Sequence, residues 1–345
     1  MNKKIIFLVF GIIFILLSFS FYFSIDNFTI NMKNIREIEE AYETIDLTKI
    51  PEKKSLDELL SNPSFIKCKT PIIYYKNGGS GFGSQLTLFT QFIECISKSI
   101  PNDSNAICIP WFAFNSNGFK YAEPGVMNSF FLYFKAINHN ELSERIKNIE
   151  NIFVFNNPNP IDSCTPFVKT NVPLMAIPQN KAQIMSFRNH FKLKIGNDIR
   201  NEMKNIKIRP LIGVHLRSDA QKIAHEMEYL QKGTAMQRFS NLKKTLDEKY
   251  KTGYSVFIAT DTNLYLKNAK EIVKDNLYFI DNITRAEGEV DSMPSIEKGG
   301  YELGCNILSD CLALSLCDEI YISPSNIMYI VCYIGDDPNI NIIEF

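Results

Sequence analysis

The sequence predicts an α/β protein built on parallel sheets, and three observations carry that reading. From Thr70 onward, short β-rich runs alternate with segments of helical periodicity. Two of the runs, Leu211-Ile212-Gly213-Val214 and Val256-Phe257-Ile258-Ala259, are continuously apolar, as strands covered on both faces must be. Polar residues recur where such runs end, and open parallel sheets bind ligands outside the carboxyl ends of their strands. With 345 residues, 45% hydrophobic and 22% charged, the chain is neither disordered nor collagen-like, and it is long enough for roughly two domains. Its 37 basic and 38 acidic side chains leave a net charge of −1, so nucleic acid is not an expected partner.

The first element is an uncharged run over 5–25, preceded by Lys3 and Lys4 and closed by Asp26. About 20 apolar residues span a bilayer core, and basic residues on the leading side keep that side cytoplasmic. The expected organisation is a cytoplasmic tail over 1–4, a transmembrane signal anchor over 5–25, a stem over 26–67, and two α/β halves over 68–207 and 208–345. That is a single-pass type II topology with the body in the lumen. A cleaved signal peptide is the competing reading, and the bulky exit Ser20-Phe21-Tyr22-Phe23 stands against it. In a lumenal body, the triplets at Asn27, Asn102 and Asn282 become candidate N-glycosylation sites. The eight cysteines form no CxxC pair and no zinc-spaced Cys/His set, so disulfides are expected before a metal site, with Cys311 and Cys317 as candidate buried thiols.

Strands are expected over 71–76, 106–114, 151–155, 211–216, 255–260, 277–281 and 319–323. Between them Leu86, Phe89, Phe92, Ile93 and Ile96 recur at helical spacing, as do apolar positions within 181–206, 229–250, 264–273 and 307–316. A weak boundary at 207–210 separates the halves.

Four segments can carry chemistry. Asn77 to Leu86 includes Gly81, Gly83 and Gln85 between a strand and a helix, where backbone can approach a ligand and the helix N-terminus favours negative charge. It lacks the Lys-Ser/Thr of a Walker loop, and taken alone it reads equally as a tight turn. In Gly213-Val214-His215-Leu216-Arg217-Ser218-Asp219, Arg217 stands at a strand end, where a planar guanidinium suits a diphosphate or simply pairs with an acid. His215 fits a ligand wall or a core position. Phe257 to Asp261 ends in Thr-Asp, and 306–326 carries Asp310 and Ser325; either aspartate also suits a cap or turn.

In their order and spacing these segments resemble the fucosyltransferase superfamily, with its α1,6-, α1,2- and protein O-fucosyltransferase branches, over residues 71–335. Gly81-Phe82-Gly83-Ser84-Gln85-Leu86 is similar to the glycine-rich motif of the α1,6 branch, and Val214-His215-Leu216-Arg217 to its His-x-Arg motif. Phe257-Ile258-Ala259-Thr260-Asp261 is similar to the family's Ala-Thr-Asp strand end, and Leu308 to Asn326 to its last motif. The resemblance implies a GT-B-like pair of Rossmann-type domains, acceptor on the N-terminal half and GDP-fucose on the C-terminal half. It further implies an inverting enzyme acting on a glycan or protein hydroxyl, at the Golgi membrane or in the ER. Arg217 would meet the diphosphate, Asp310 the guanine, Ser325 the phosphates, and His215 would line the nucleotide. No Asp-x-Asp triplet occurs, so neither metal nor other cofactor is expected.

The chain departs from the α1,6 pattern at Arg217-Ser218, where consecutive arginines are the rule, and at Ser325-Asn326, which replaces Ser-Ser. The general base is assigned to Glu226, with His225 and Glu228 as rivals. Two other readings stand beside this one: an inactive fucosyltransferase-like scaffold, and a transferase using another nucleotide sugar.

Overall fold

A computed structural model describes residues 45–76, 82–100, 105–112, 121–123, 125–156, 181–217, 233–287, 300–322, 325, 327–335 and 342–344. The expected anchor over 5–25, the loop glycine Gly81, and Glu226 with its rivals His225 and Glu228 lie outside the described residues. Among the described residues no helix is long and apolar enough to cross a membrane. Met1–Asp46 and Leu47–Phe345 are two compact units, and the described strands and helices belong to the second.

The segment expected to form the stem carries regular structure from Leu47. After a 3₁₀ turn over Leu47–Lys49 come β1 (Glu52–Lys53), α1 (Leu56–Leu60) and α2 (Pro63–Lys67). Both helices start on good caps: the Ser55 side chain accepts from the Glu58 amide, and Asn62 accepts from Ser64 and Phe65 ahead of Pro63. Phe65 then packs edge-on against Phe153, with centroids 5.0 Å apart. Weak periodicity hid this segment because its helices are short and bury few side chains each.

The chain continues through β2 (Ile72–Lys76), α3 (Phe82–Ser99), β3 (Ile107–Pro110), α4 (Phe130–Tyr133), β4 (Phe134–Ala136), α5 (His139–Ile146) and β5 (Ile152–Asn156). The order β1-β5-β2-β3 is parallel throughout, and β2 is buried from Ile72 to Tyr75, as its run of apolar and aromatic residues requires. Glu52 ties the edge strand to the sheet: it accepts from Lys76 Nζ at 3.0 Å and from Asn156 Nδ2 at 2.7 Å. These donors hold its carboxyl below the usual range, the Asn156 bond first.

The helical pattern read over 181–206 is interrupted. It becomes α6 (Lys181–His190), β6 (Phe191–Leu193) and α7 (Asn197–Asn205), because Phe191 to Leu193 pairs antiparallel with β4. Gly196 then turns the chain at φ +100°, a left-handed conformation open to glycine.

The second sheet is built from β7 (Leu211–Leu216), β8 (Ser255–Thr260), β9 (Leu277–Tyr278), β10 (Glu319–Ile322) and β11 (Ile342–Glu344) in the parallel order β11-β10-β7-β8-β9. Between its strands lie α8 (Ala235–Lys249), α9 (Asn263–Val273), α10 (Gly300–Ser315) and α11 (Ile327–Ile334). A capping box between Thr234 and Gln237 opens α8. Ile212, Val214 and Leu216 of β7 face α8 and α9 with Val256 and Ile258. Gly213 faces the other way, onto Leu314 and Cys317, so β7 has no solvent face.

Helices α10 and α11 join the two sheets. α11 packs on α3 and α6, and α10 packs on α4, α7, β7 and β8. Tyr333 of α11 meets Phe187 of α6 edge-on at 4.8 Å, inside an aromatic cluster with Phe130, Phe134 and Phe191. The expected disulfides are not formed among the described residues: Cys68, Cys108, Cys305, Cys311, Cys317 and Cys332 are free thiols. Cys311 is 1% exposed and Cys317 donates to the Ala313 carbonyl, so both serve packing. Asn282 lies exposed in the turn after β9.

Candidate functional site

The strand order of the second sheet selects a location before any side chain is considered. From β7 the chain moves outward to β8 and β9 on one side, and β10 returns to pair with β7 on the other. The connections leaving β7 and β10 therefore diverge, which makes the carboxyl ends of those strands the topological switch point where open α/β sheets bind ligands. Arg217 follows β7 directly and is half-buried. Asp261 follows β8, and the pairing of Leu216 with Thr260 puts Arg217 and Asp261 at neighbouring strand ends. Ser325 lies past the end of β10, 7% exposed, and its Oγ accepts from the Ile327 amide at the start of α11 at 3.3 Å.

His215 is 7% exposed on β7, paired with Ala259 on one side and Ile322 on the other. Strand alternation puts it on the same face as Gly213, the face covered by α10. Asp310 belongs to that helix, so His215 and Asp310 share one side of the sheet.

Asp310 meets an arginine that sequence reading missed. Arg285, with a side chain 2% exposed, donates through Nε to the Thr260 carbonyl at 3.1 Å and through Nη1 to Ile280 at 3.0 Å. Its Nη2 stands 4.0 Å from Asp310 Oδ1. That is too long for a hydrogen bond, so charge is the main interaction between them. Among the described residues neither atom has a hydrogen-bond partner, nor does Asn306 Nδ2 one turn earlier on α10. Burial raises the Asp310 carboxyl to about 7, against the opposing pull of Arg285. Its side chain keeps 14% exposure. An acid titrating near neutrality beside unpartnered polar atoms is a marked feature for a packed helix.

Asp261 serves the backbone as well: its carbonyl accepts from Ala286 at 2.9 Å, while the Thr262 side chain caps α9 through the Tyr265 amide. Arg285 and Ala286 thus clamp the end of β8 from the connection that follows β9. No sequence signal marked Arg285, because its role is fixed by three carbonyl groups rather than by a motif.

Gly83 and Gln85 lie in the first turn of α3, in the other half, and both are buried, Gln85 to 2% exposure. The structure brings Arg217, Asp261, Ser325, His215 and Asp310 to one sheet and leaves Gly83 and Gln85 on the helix against which α11 packs. A further contact joins the halves at the start of α10. The Tyr133 hydroxyl donates to the Tyr121 carbonyl at 2.6 Å, with the Gly300 carbonyl at 3.1 Å, and Glu123 accepts from the Tyr301 amide at 2.6 Å. Tyr133 and Tyr301 stack at 5.4 Å.

No protein-family model matches the sequence, and no curated relative matches it. Among solved structures, one titled as the crystal structure of Se-Met fucosyltransferase NodZ from Bradyrhizobium is similar to this chain. The TM-score is 0.40 at 15% identity, over 81% of this chain and 95% of that one. A likeness this distant identifies neither a family nor an activity.

Proposed function

We propose that this protein is a glycosyltransferase whose second sheet binds a nucleotide-sugar donor, and that the donor is GDP-fucose. The observation that carries the reading is the switch point between β7 and β10, with Arg217 and Ser325 following its two strand ends and Asp310 on the helix that covers β7. A guanidinium and a helix N-terminus there suit a diphosphate, and a carboxylate suits the N–H donors of a base. The choice of GDP-fucose rests on the motif resemblance in the sequence.

Sugar transfer needs the departing diphosphate stabilised and the acceptor hydroxyl deprotonated. We assign the first task to Arg217 without a metal ion, and the second to Glu226. The acceptor is a glycan or protein hydroxyl, and an anchor over 5–25 would hold the protein in the Golgi membrane. Calorimetric titration with GDP and then GDP-fucose, with and without EDTA and alongside donor hydrolysis, tests the proposal. Binding indifferent to EDTA with fucose release supports it. Binding without turnover in a full acceptor screen would turn the reading to a scaffold, and absence of binding by folded protein would end it.

A further inference from the structure

Two buried polar atoms face each other near the carboxyl end of β8 without hydrogen-bond partners among the described residues, Arg285 Nη2 and Asp310 Oδ1, and Asn306 Nδ2, one turn earlier on α10, is also unpartnered there. Native structures rarely leave such atoms together without a use for them. Arg285 and Asp310 come from different elements, and their relation is asymmetric. Arg285 is fixed, with Nε on Thr260 and Nη1 between the Ile280 and Ile283 carbonyls at 3.0 and 3.4 Å. Three backbone acceptors leave it one free edge, and that edge faces Asp310. Asp310 has no comparable anchor. It turns Oδ1 inward to the guanidinium while part of the side chain stays open.

We propose that Arg285 is a positioning residue: it faces Asp310 at the end of β8 and shifts the acid toward its charged carboxylate, so that the acid accepts from N–H groups of a ligand rather than donating to it. This rests on the reading of the switch point between β7 and β10 as a nucleotide site. A protonated Asp310 would offer one donor in place of an acceptor, and a ligand edge carrying N–H groups would then face it badly. Burial drives the carboxyl toward that neutral form, and Arg285 opposes it. No other charged group among the described residues acts on Asp310; the titratable groups on the packed elements, His215 of β7, Tyr133 of α4 and Arg200 of α7, do not shift it. Among these groups, Arg285 is therefore the one that opposes burial and favours the charged form of the acid.

The test is a carbon-13 NMR titration of the full chain labelled at aspartate Cγ, from about pH 5 to about pH 9, with the Asp310 signal assigned by its loss in Asp310→Asn. The native midpoint is expected near 7, as burial and Arg285 together set it. In Arg285→Met it should rise by about one unit or more, the usual effect of removing a neighbouring opposite charge. Arg285→Lys should return it toward the native value. Where Arg285→Met does not fold, Arg285→Gln keeps donors without charge and should show the same rise relative to the lysine variant. Equal midpoints in charged and uncharged variants would overturn the proposal. Calorimetry with GDP is read separately. At neutral pH the uncharged variants should bind about tenfold more weakly and recover as pH passes the raised midpoint, which a merely structural defect would not do. If the native chain binds no GDP, the nucleotide reading falls, and the carboxyl midpoints still decide the role of Arg285.

Discussion

Replacing Gly304 by alanine tests how closely the two halves meet. A Cβ added at Gly304 would stand 2.6 Å from Tyr133 Cε1 and nearer still to Cζ and Oη, whereas real Cβ contacts essentially never fall under 3.0 Å. The ring cannot simply swing away. Its hydroxyl donates to Tyr121 at 2.6 Å and lies 3.1 Å from the Gly300 carbonyl, and its face stacks on Tyr301. Overpacking of this kind costs about 1–3 kcal/mol, and loosening the hydroxyl costs about 1 kcal/mol more. Alanine returns about 1 kcal/mol of helix propensity over glycine. The net expectation is a loss of ~1–3 kcal/mol, read as a lower urea midpoint at unchanged slope. In a Tyr133→Leu background the space is open, and Gly304→Ala should become neutral or stabilising by up to ~1 kcal/mol. The coupling between the two changes should therefore exceed ~1 kcal/mol. An equal cost in both backgrounds would refute the reasoning.

The same structure sets four further expectations. Arg217→Ala should lower donor turnover on the order of 100-fold to 1000-fold, and full activity in a hydrolysis assay would remove Arg217 from the chemistry. Asp310→Asn should weaken GDP binding about tenfold or more by calorimetry, since a charged acceptor is lost; unchanged affinity would exclude it from the site. Tyr133→Phe should cost ~1–3 kcal/mol in denaturant unfolding, because the Tyr121 carbonyl loses a buried donor. Asp310 also sets a pH dependence. Its folded value of about 7 lies above the ordinary 3.8, so between those values the native state holds a proton that the unfolded chain has released. Stability should fall with rising pH across that window, by up to ~1.4 kcal/mol per unit, and level off above it. The difference between the native chain and Asp310→Asn isolates this slope, and parallel curves would contradict it.

The strands that sequence reading found best are those buried on both faces. For β7 and β8 the expected and observed bounds coincide, because continuous apolar runs leave little freedom of register. The strands missed, β1, β4, β6 and β11, are two or three residues long and lie at edges or in a small side pair, where pattern has too few positions to register. Of the candidate site, the positions of Arg217, Asp261 and Asp310 could be picked out from sequence because polar residues ending apolar strands or interrupting an apolar helix stand out. Arg285 was not: its meaning depends on the Thr260, Ile280 and Ile283 carbonyls converging on it, which only the folded chain shows. The disulfide expectation fails at Cys68, Cys108, Cys305 and Cys332, which are free thiols, whereas the apolar pattern around Cys311 and Cys317 had already marked those two as candidate buried thiols.

The shared clasp on α10 bears on how the chain can be recombined. A chimera cut at the 207–210 boundary would exchange one sheet for a foreign one while keeping α10 with its own. With the second half exchanged, Tyr133 and Glu123 would confront an unrelated helix end; with the first half exchanged, Gly304 would face whatever side chain replaced the tyrosine. A graft that exchanges one half must therefore move the residues around Tyr133 and Gly304 as one cassette, although Tyr133 and Gly300 stand 167 positions apart in the sequence.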